Sequence, residues 1–133
     1  MNKRLIIYST TDGQTKLICE RIRQSSQYKN QTKIISIAMA SNENLASYEM
    51  IIIGASIRYG KHNSNILNFV KKNKEILSKK KSVFFSVNVV ARKSEKNTPE
   101  TNPYIKKFLK LSNWSPNKLA VFAGKIDYPK YGF

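Results

Sequence analysis

Ser9-Thr10-Thr11-Asp12-Gly13-Gln14-Thr15 packs four hydroxyls, a carboxylate and a glycine into seven residues. The stretch follows the apolar run Leu5-Ile6-Ile7-Tyr8 and opens straight into a helix-patterned segment. A helix N-terminus presents backbone N–H groups without intrahelical acceptors, together with the positive end of the helix dipole. Hydroxyls add donors, and Gly13 admits a tight turn beside a ligand. The chemistry this suits is the cradling of a phosphate. It is neither a P-loop, which needs Gly-Lys-Ser/Thr, nor the dinucleotide pattern G-x-G-x-x-G. The plainer alternative is an ordinary helix cap, since Ser, Thr and Asp cap helices anyway.

Two more segments carry residues of interest. Gly54-Ala55-Ser56-Ile57-Arg58-Tyr59-Gly60 follows the apolar run from Met50. Small residues there let a flat ligand approach the backbone, Tyr59 offers a ring for stacking, and Arg58 suits an anionic group. The alternative is a glycine-terminated strand turning into a helix. Ser86-Val87-Asn88-Val89 ends the run that starts at Val83. Three loops at the ends of neighbouring strands would converge on one cleft, a stronger signal than any single loop. His62 is the sole histidine. It has two readings: a proton-transfer group near that cleft, or, more plainly, a surface histidine in the first turn of a helix. Cys19, the sole cysteine, falls inside a helical pattern and reads as core or neutral surface; it can build neither a disulfide framework nor a cysteine metal site.

The elements that must position these residues are set by the hydrophobic pattern. Leu5–Tyr8, Ile34–Ile37, Met50–Ala55, Val83–Val87 and Leu119–Ala123 are short runs rich in β-branched and aromatic residues. Near-continuous apolar runs of this kind are strands buried on both faces, as in a parallel sheet covered by helices. Between them, helical spacing predicts helices over Gln14 to about Gln27, Asn63 to Leu77 and Asn102 to Leu111, with Pro103 suited to a first turn. Ser41–Ser47 is a short polar link with room for one more turn. The alternation gives a doubly wound α/β sheet of five parallel strands in one domain, 1–133. Val89–Thr101 is a long irregular piece after a strand, which suggests a lid over a site; the alternative is a solvated loop.

Composition bounds the rest. At 133 residues and 41% hydrophobic, the chain has the size and apolar content of one globular domain. No apolar run reaches the length of a membrane span, and the apolar part of the basic start is too short for a signal core, which gives a cytoplasmic expectation. The net charge of +16 should attract polyanions. Against that, 19 Lys, 13 Asn and 15 Ile are residues of AT-rich codons, so mutational bias is an equal explanation. No zinc-finger, RNA-binding or arginine-arm pattern supports specific nucleic-acid binding. Lys71-Lys72 and Lys79-Lys80-Lys81 read as solvated faces, with weak attraction to anionic lipid as a further use.

The hydroxyl-rich loop closing as Gly13-Gln14-Thr15 resembles the flavodoxin phosphate loop. Asp12–Thr15, Ile53–Gly60, Phe85–Asn88, Val90-Ala91-Arg92-Lys93, Thr98–Asn102 and Tyr128–Tyr131 are similar to segments of the menaquinone-dependent protoporphyrinogen IX dehydrogenases. This resemblance spans the chain from end to end. It implies a flavodoxin-like fold and an FMN enzyme, peripheral on the inner membrane. Such an enzyme oxidises protoporphyrinogen to protoporphyrin in haem synthesis and passes electrons to a quinone, menaquinone or ubiquinone. By motif, Thr10, Thr11, Asp12, Gly13, Gln14 and Thr15 would hold the FMN phosphate. Ala55, Ser56, Ile57, Arg58, Tyr59 and Gly60, with Ser86, Val87, Asn88 and Val89, would border the isoalloxazine ring. Arg92 and Lys93 would meet the propionates of the substrate, since charged hydrogen bonds to carboxylates are strong.

The same family continues beyond the point where this chain stops, with a basic amphipathic stretch and a closing helix. Without that helix, part of the sheet face is expected to be bare, which suggests low stability or a homo-oligomer through the bare face. Two other readings therefore stand beside the enzyme. One is an electron-carrier flavodoxin, against which the charge and the loop after Asn88 argue. The other is a truncated remnant that has lost activity, against which the intact loops argue.

Overall fold

Every apolar run becomes a strand, and the period-two alternation sends neighbouring side chains to opposite faces. The structure is a computed structural model, and it describes residues 3–9, 13–58, 61–62, 64–87 and 98–122. The strands are β1 (Arg4–Ser9), β2 (Thr32–Ser36), β3 (Met50–Arg58), β4 (Lys61–His62), β5 (Lys81–Val87) and β6 (Lys118–Phe122). Five are parallel in the order β2-β1-β3-β5-β6, and β4 pairs antiparallel with the end of β3. The chain winds one way from β1 to β2 and the other way from β1 through β3. The switch point therefore lies between β1 and β3, and in such sheets ligands bind beyond the carboxyl ends of the strands there.

Helices cover both faces. Leu5, Ile7, Ile51, Ile53 and Phe84 pack with α2 (Ser64–Lys72), α3 (Lys74–Ser78) and α4 (Pro103–Ser112). Ile6, Ile52, Val83, Phe85 and Ala120 pack on the other side with Ile18, Cys19 and Ile22 of α1 (Gln14–Ser25). The bare face expected from the sequence is not found among the described residues. Phe85 is fully buried and Val87, Ala120 and Phe122 nearly so; Phe85 and Phe122 meet edge to face at 5.5 Å. The argument for a dimer through that face falls with it. A closing helix would lie beyond β6, and residues 123–133 are outside the described ones.

Three local details depart from the sequence reading. The helix expected over Asn63–Leu77 is two, α2 and α3, broken at Asn73, whose side-chain amide donates to the Phe69 carbonyl at 2.9 Å. The link after β2 is made of 3-10 turns at Ile37–Asn42 and Leu45–Ser47. Glu43 holds this link down: it accepts from Lys33 at 2.7 Å and from the Tyr48 hydroxyl at 2.7 Å. The Lys33 and Tyr48 hydrogen bonds keep the Glu43 carboxyl below its ordinary range, while burial and that carboxylate push Tyr48 up to about 12. Finally, β4 was not expected at all. Its two residues look like a turn, and only the pairing Ile57↔His62 and Arg58↔Lys61 makes them a strand.

Candidate functional site

The carboxyl edge gathers the ends of β1, β3 and β5. Ser9 lies beside Ala55, and Ala55 beside Ser86, in one row across the sheet. The strands that lead into the three stretches singled out in the sequence therefore end side by side in the described residues.

At the β1 end, Gly13 is the N-cap of α1, at φ 87° and ψ −10°. This left-handed conformation is the reason for a glycine, because an added Cβ would meet nothing within 4 Å. A glycine cap offers no side chain to the first turn, and that turn, Gln14-Thr15-Lys16, holds no acidic residue. An anion placed there meets a helix N-terminus whose first turn carries no carboxylate. The first intrahelical bond runs from Leu17 N–H to the Gly13 carbonyl at 3.2 Å. Thr15 is fully buried, and its Oγ1 has no hydrogen-bond partner among the described residues. Leaving a buried hydroxyl unsatisfied costs about 1–3 kcal/mol, so such groups call for an explanation. A bound anion at the helix end is one. Thr10, Thr11 and Asp12 lie outside the described residues.

At the β3 and β5 ends the picture changes. Gly54 was read as room for a flat ligand, but that room is filled from within. A Cβ on Gly54 would collide with Cζ of Phe85, so this glycine makes space for a core ring. Ala55 and Val87 are buried, while Ser56 and Ile57 are half-buried and so are the ring-side candidates with surface to offer. Arg58 is placed by its backbone at the end of β3. Ser86 is fully buried, and its Oγ lies 2.7 Å from Nε2 of His62. Tyr59, Gly60, Asn88, Val89, Arg92 and Lys93 lie outside the described residues.

His62 is therefore not a surface residue in a helix turn. It sits in β4, buried, with its ring edge-on to Phe84 at 5.5 Å and Phe108 at 5.3 Å. Desolvation lowers its pKa to about 4, so it is neutral at physiological pH. Cys19 is core, as one of the sequence readings had it, and burial pushes its thiol up and makes it unreactive. Thr98–Asn102, part of the family resemblance, has a structural role in the described part. Asn102 is fully buried and caps α4 through Oδ1, which accepts from Tyr104 N–H and Ile105 N–H at 3.2 and 3.3 Å. Among the described residues no three His, Cys, Asp or Glu side chains come together as metal ligands would.

A family described as Flavodoxin domain matches residues 5–133. This chain belongs to the flavodoxin domain family. Within it, the chain is 45% identical over 133 residues to a Leishmania major protein named Protoporphyrinogen IX dehydrogenase [quinone]. The match covers 98% of this chain and 58% of that protein, so the chain spans little more than half of that relative's length. The Escherichia coli K12 protein of the same name is 43% identical over 132 residues, covering 97% of this chain and 72% of its own length. The flavodoxin-like fold also aligns with solved structures. Two-electron reduced Megasphaera elsdenii flavodoxin gives a TM-score of 0.67 at 12% identity, over 93% of this chain and 88% of that one. A Lactobacillus acidophilus flavoprotein in complex with FMN gives 0.64 at 14% identity, over 96% and 97%. Identities that low speak to the fold. No helix of the described residues is long and apolar enough to cross a membrane.

Proposed function

We propose that this chain binds FMN at the carboxyl edge of its sheet and is an FMN-dependent oxidoreductase. It oxidises protoporphyrinogen IX to protoporphyrin IX in haem biosynthesis, with a quinone, menaquinone or ubiquinone, as acceptor. The observation that carries the cofactor reading is the buried, partnerless Thr15 hydroxyl beneath the glycine-capped start of α1. The names of the relatives at 43–45% identity support the substrate and the acceptor. FMN, when bound, supplies the redox chemistry. Thr10 to Thr15 hold its phosphate, Thr15 donating its hydroxyl. Ala55 to Gly60 and Ser86 to Val89 border the ring, Ser56 and Ile57 with their side chains and Ser86 from its backbone. Arg92 and Lys93 receive the propionates. Residues 1–133 act as a single domain.

The protein works at a membrane surface. Exposed Lys71, Lys72, Lys79, Lys81, Lys110 and Lys118 lie where α2, α3 and α4 end and where β5 and β6 begin. That is the amino edge of the sheet, opposite the cofactor end. On a chain of net charge +16 it draws the protein to anionic lipid by long-range attraction. It concentrates the protein there without turning the flavin toward the bilayer.

The test is the visible spectrum of the purified chain after FMN is added and the excess removed by gel filtration. A retained oxidised-flavin spectrum, followed by turnover of protoporphyrinogen with a quinone, is expected. A folded but colourless protein contradicts the reading.

A further inference from the structure

Among the described residues, β3 is paired further along than its parallel neighbours are. Ser9 is the last described residue of β1 to pair with it, opposite Ala55, and Val87 the last of β5, opposite Ser56. Among the described residues the ladder partners of Ile57 and Arg58 are the two residues of β4. A two-residue ladder at an edge holds little by itself, because isolated hairpins are marginal in water. A further contact holds residues 61–62, and through them 56–58, which belong to the ring side of the proposed site.

The His62 side chain makes that contact. It enters the helix-covered core beside a stacked pair of rings, Phe84 on β5 and Phe108 on α4, whose centroids are 4.4 Å apart and whose planes differ by 4°. The imidazole meets both edge-on, at 72° and 74°. Its Nε2 then reaches Ser86 Oγ at 2.7 Å, near the end of β5. Burial keeps the ring neutral, so either tautomer satisfies the bond. With the proton on Nδ1, Nε2 accepts from the serine hydroxyl; with it on Nε2, the ring donates to Oγ. The hydrogen bond thus links β4, and the β3 end paired with it, to β5, across the strand end beside which the ring would lie.

We infer that His62 is a positioning residue: through Ser86 it tethers β4, and with it the end of β3 paired to it, to β5 and so sets the ring side of the cofactor site. The ligand class is the flavin ring, FMN or riboflavin alike, and this part rests on the FMN reading above. His62 touches core rings and a buried hydroxyl in this role, and it transfers no proton.

Three variants of the full chain test the tether. His62→Phe keeps an aromatic ring in the Phe84–Phe108 cluster but loses the hydrogen bond. Ser86→Ala removes a single hydroxyl, and His62→Gln restores a polar group near the position of Nε2. In flavin-free protein, amide hydrogen exchange at residues 56–58 and 61–62 should rise about fivefold to tenfold in His62→Phe and Ser86→Ala, the scale of one lost hydrogen bond. The amides of β1 should not change, and His62→Gln should recover part of the protection. In titrations, FMN and riboflavin should weaken by the same factor, and the visible circular dichroism of bound flavin should change. A phosphate-side defect would instead alter the ratio of the two affinities.

Unchanged exchange overturns the tether. Raised exchange with unchanged flavin affinity and dichroism overturns its role in the site. A wild-type protein that takes up neither FMN nor riboflavin overturns the flavin reading, and the exchange measurement still decides whether the tether exists.

Discussion

Thr15 and Ser86 are both fully buried hydroxyl residues at the carboxyl edge of one sheet. The Ser86 hydroxyl meets His62 at 2.7 Å, while the Thr15 hydroxyl has no partner among the described residues. They also serve opposite faces: α1 brings Thr15 from one side, and β4 brings His62 from the other. A satisfied buried pair adds rigidity without calling for a ligand. An unsatisfied buried hydroxyl holds the protein in a state that a ligand can relieve. On the proposed reading, the edge is divided into a frame, built around Ser86, and a receptor, built around Thr15.

The largest effect should come from a change that spares neither part. Gly54→Ala forces a methyl into the Phe85 ring. Overpacking of this kind should cost about 3 kcal/mol in urea unfolding, and flavin binding should be lost with the fold. Stability unchanged by this substitution would show that Phe85 has room to move and that the frame is softer than described.

The frame itself should show in the pH dependence. His62 has a pKa of 6.5 when unfolded and about 4 when folded. Between those values the unfolded chain binds the extra proton, so stability is full above about pH 6.5 and falls as the pH drops toward 4. The loss from this one group is on the order of 3 kcal/mol. His62→Gln should flatten the denaturation profile over that window. Equal slopes in the two proteins would mean that His62 is open to water and that the frame is not closed.

The receptor should behave in the opposite way. Thr15→Val replaces the orphaned hydroxyl with a methyl of similar size. The flavin-free protein should keep its stability or gain about 1 kcal/mol, while FMN affinity falls by about tenfold to a hundredfold, the scale of a hydrogen bond to a charged group. A valine that destabilises the free protein would mean that Thr15 belongs to the frame as well. The smallest effect is a control away from both regions. Glu43→Gln removes the ion pair with Lys33, whose side chain is 55% exposed, and should cost under about 1 kcal/mol without touching flavin affinity.

Much of this division was legible in the residues. The parallel strands show as apolar runs because both of their faces are covered, and the phosphate loop shows because hydroxyls, Gly13 and a helical pattern are consecutive in sequence. Local signals of that kind survive without a structure. The frame was not legible, for a physical reason in each case. Gly54 looks like an opening for a ligand because nothing in its neighbourhood says that Phe85, thirty-one positions later, will occupy the space. His62 looks like a surface residue because the strand that buries it is two residues long, and because Ser86, Phe84 and Phe108 are brought to it by tertiary packing alone. The expected bare face failed for the same reason, since covering a sheet depends on contacts that strand patterning cannot report.

The central claim is that the start of α1 is a phosphate receptor, and its most direct test is a paired titration of FMN and riboflavin into the wild-type chain and Thr15→Val. The two ligands differ in the phosphate alone. Wild type should prefer FMN strongly, and the preference should shrink in Thr15→Val because FMN weakens while riboflavin does not. Equal binding of FMN and riboflavin by wild type, or a preference untouched by the valine, would contradict the account.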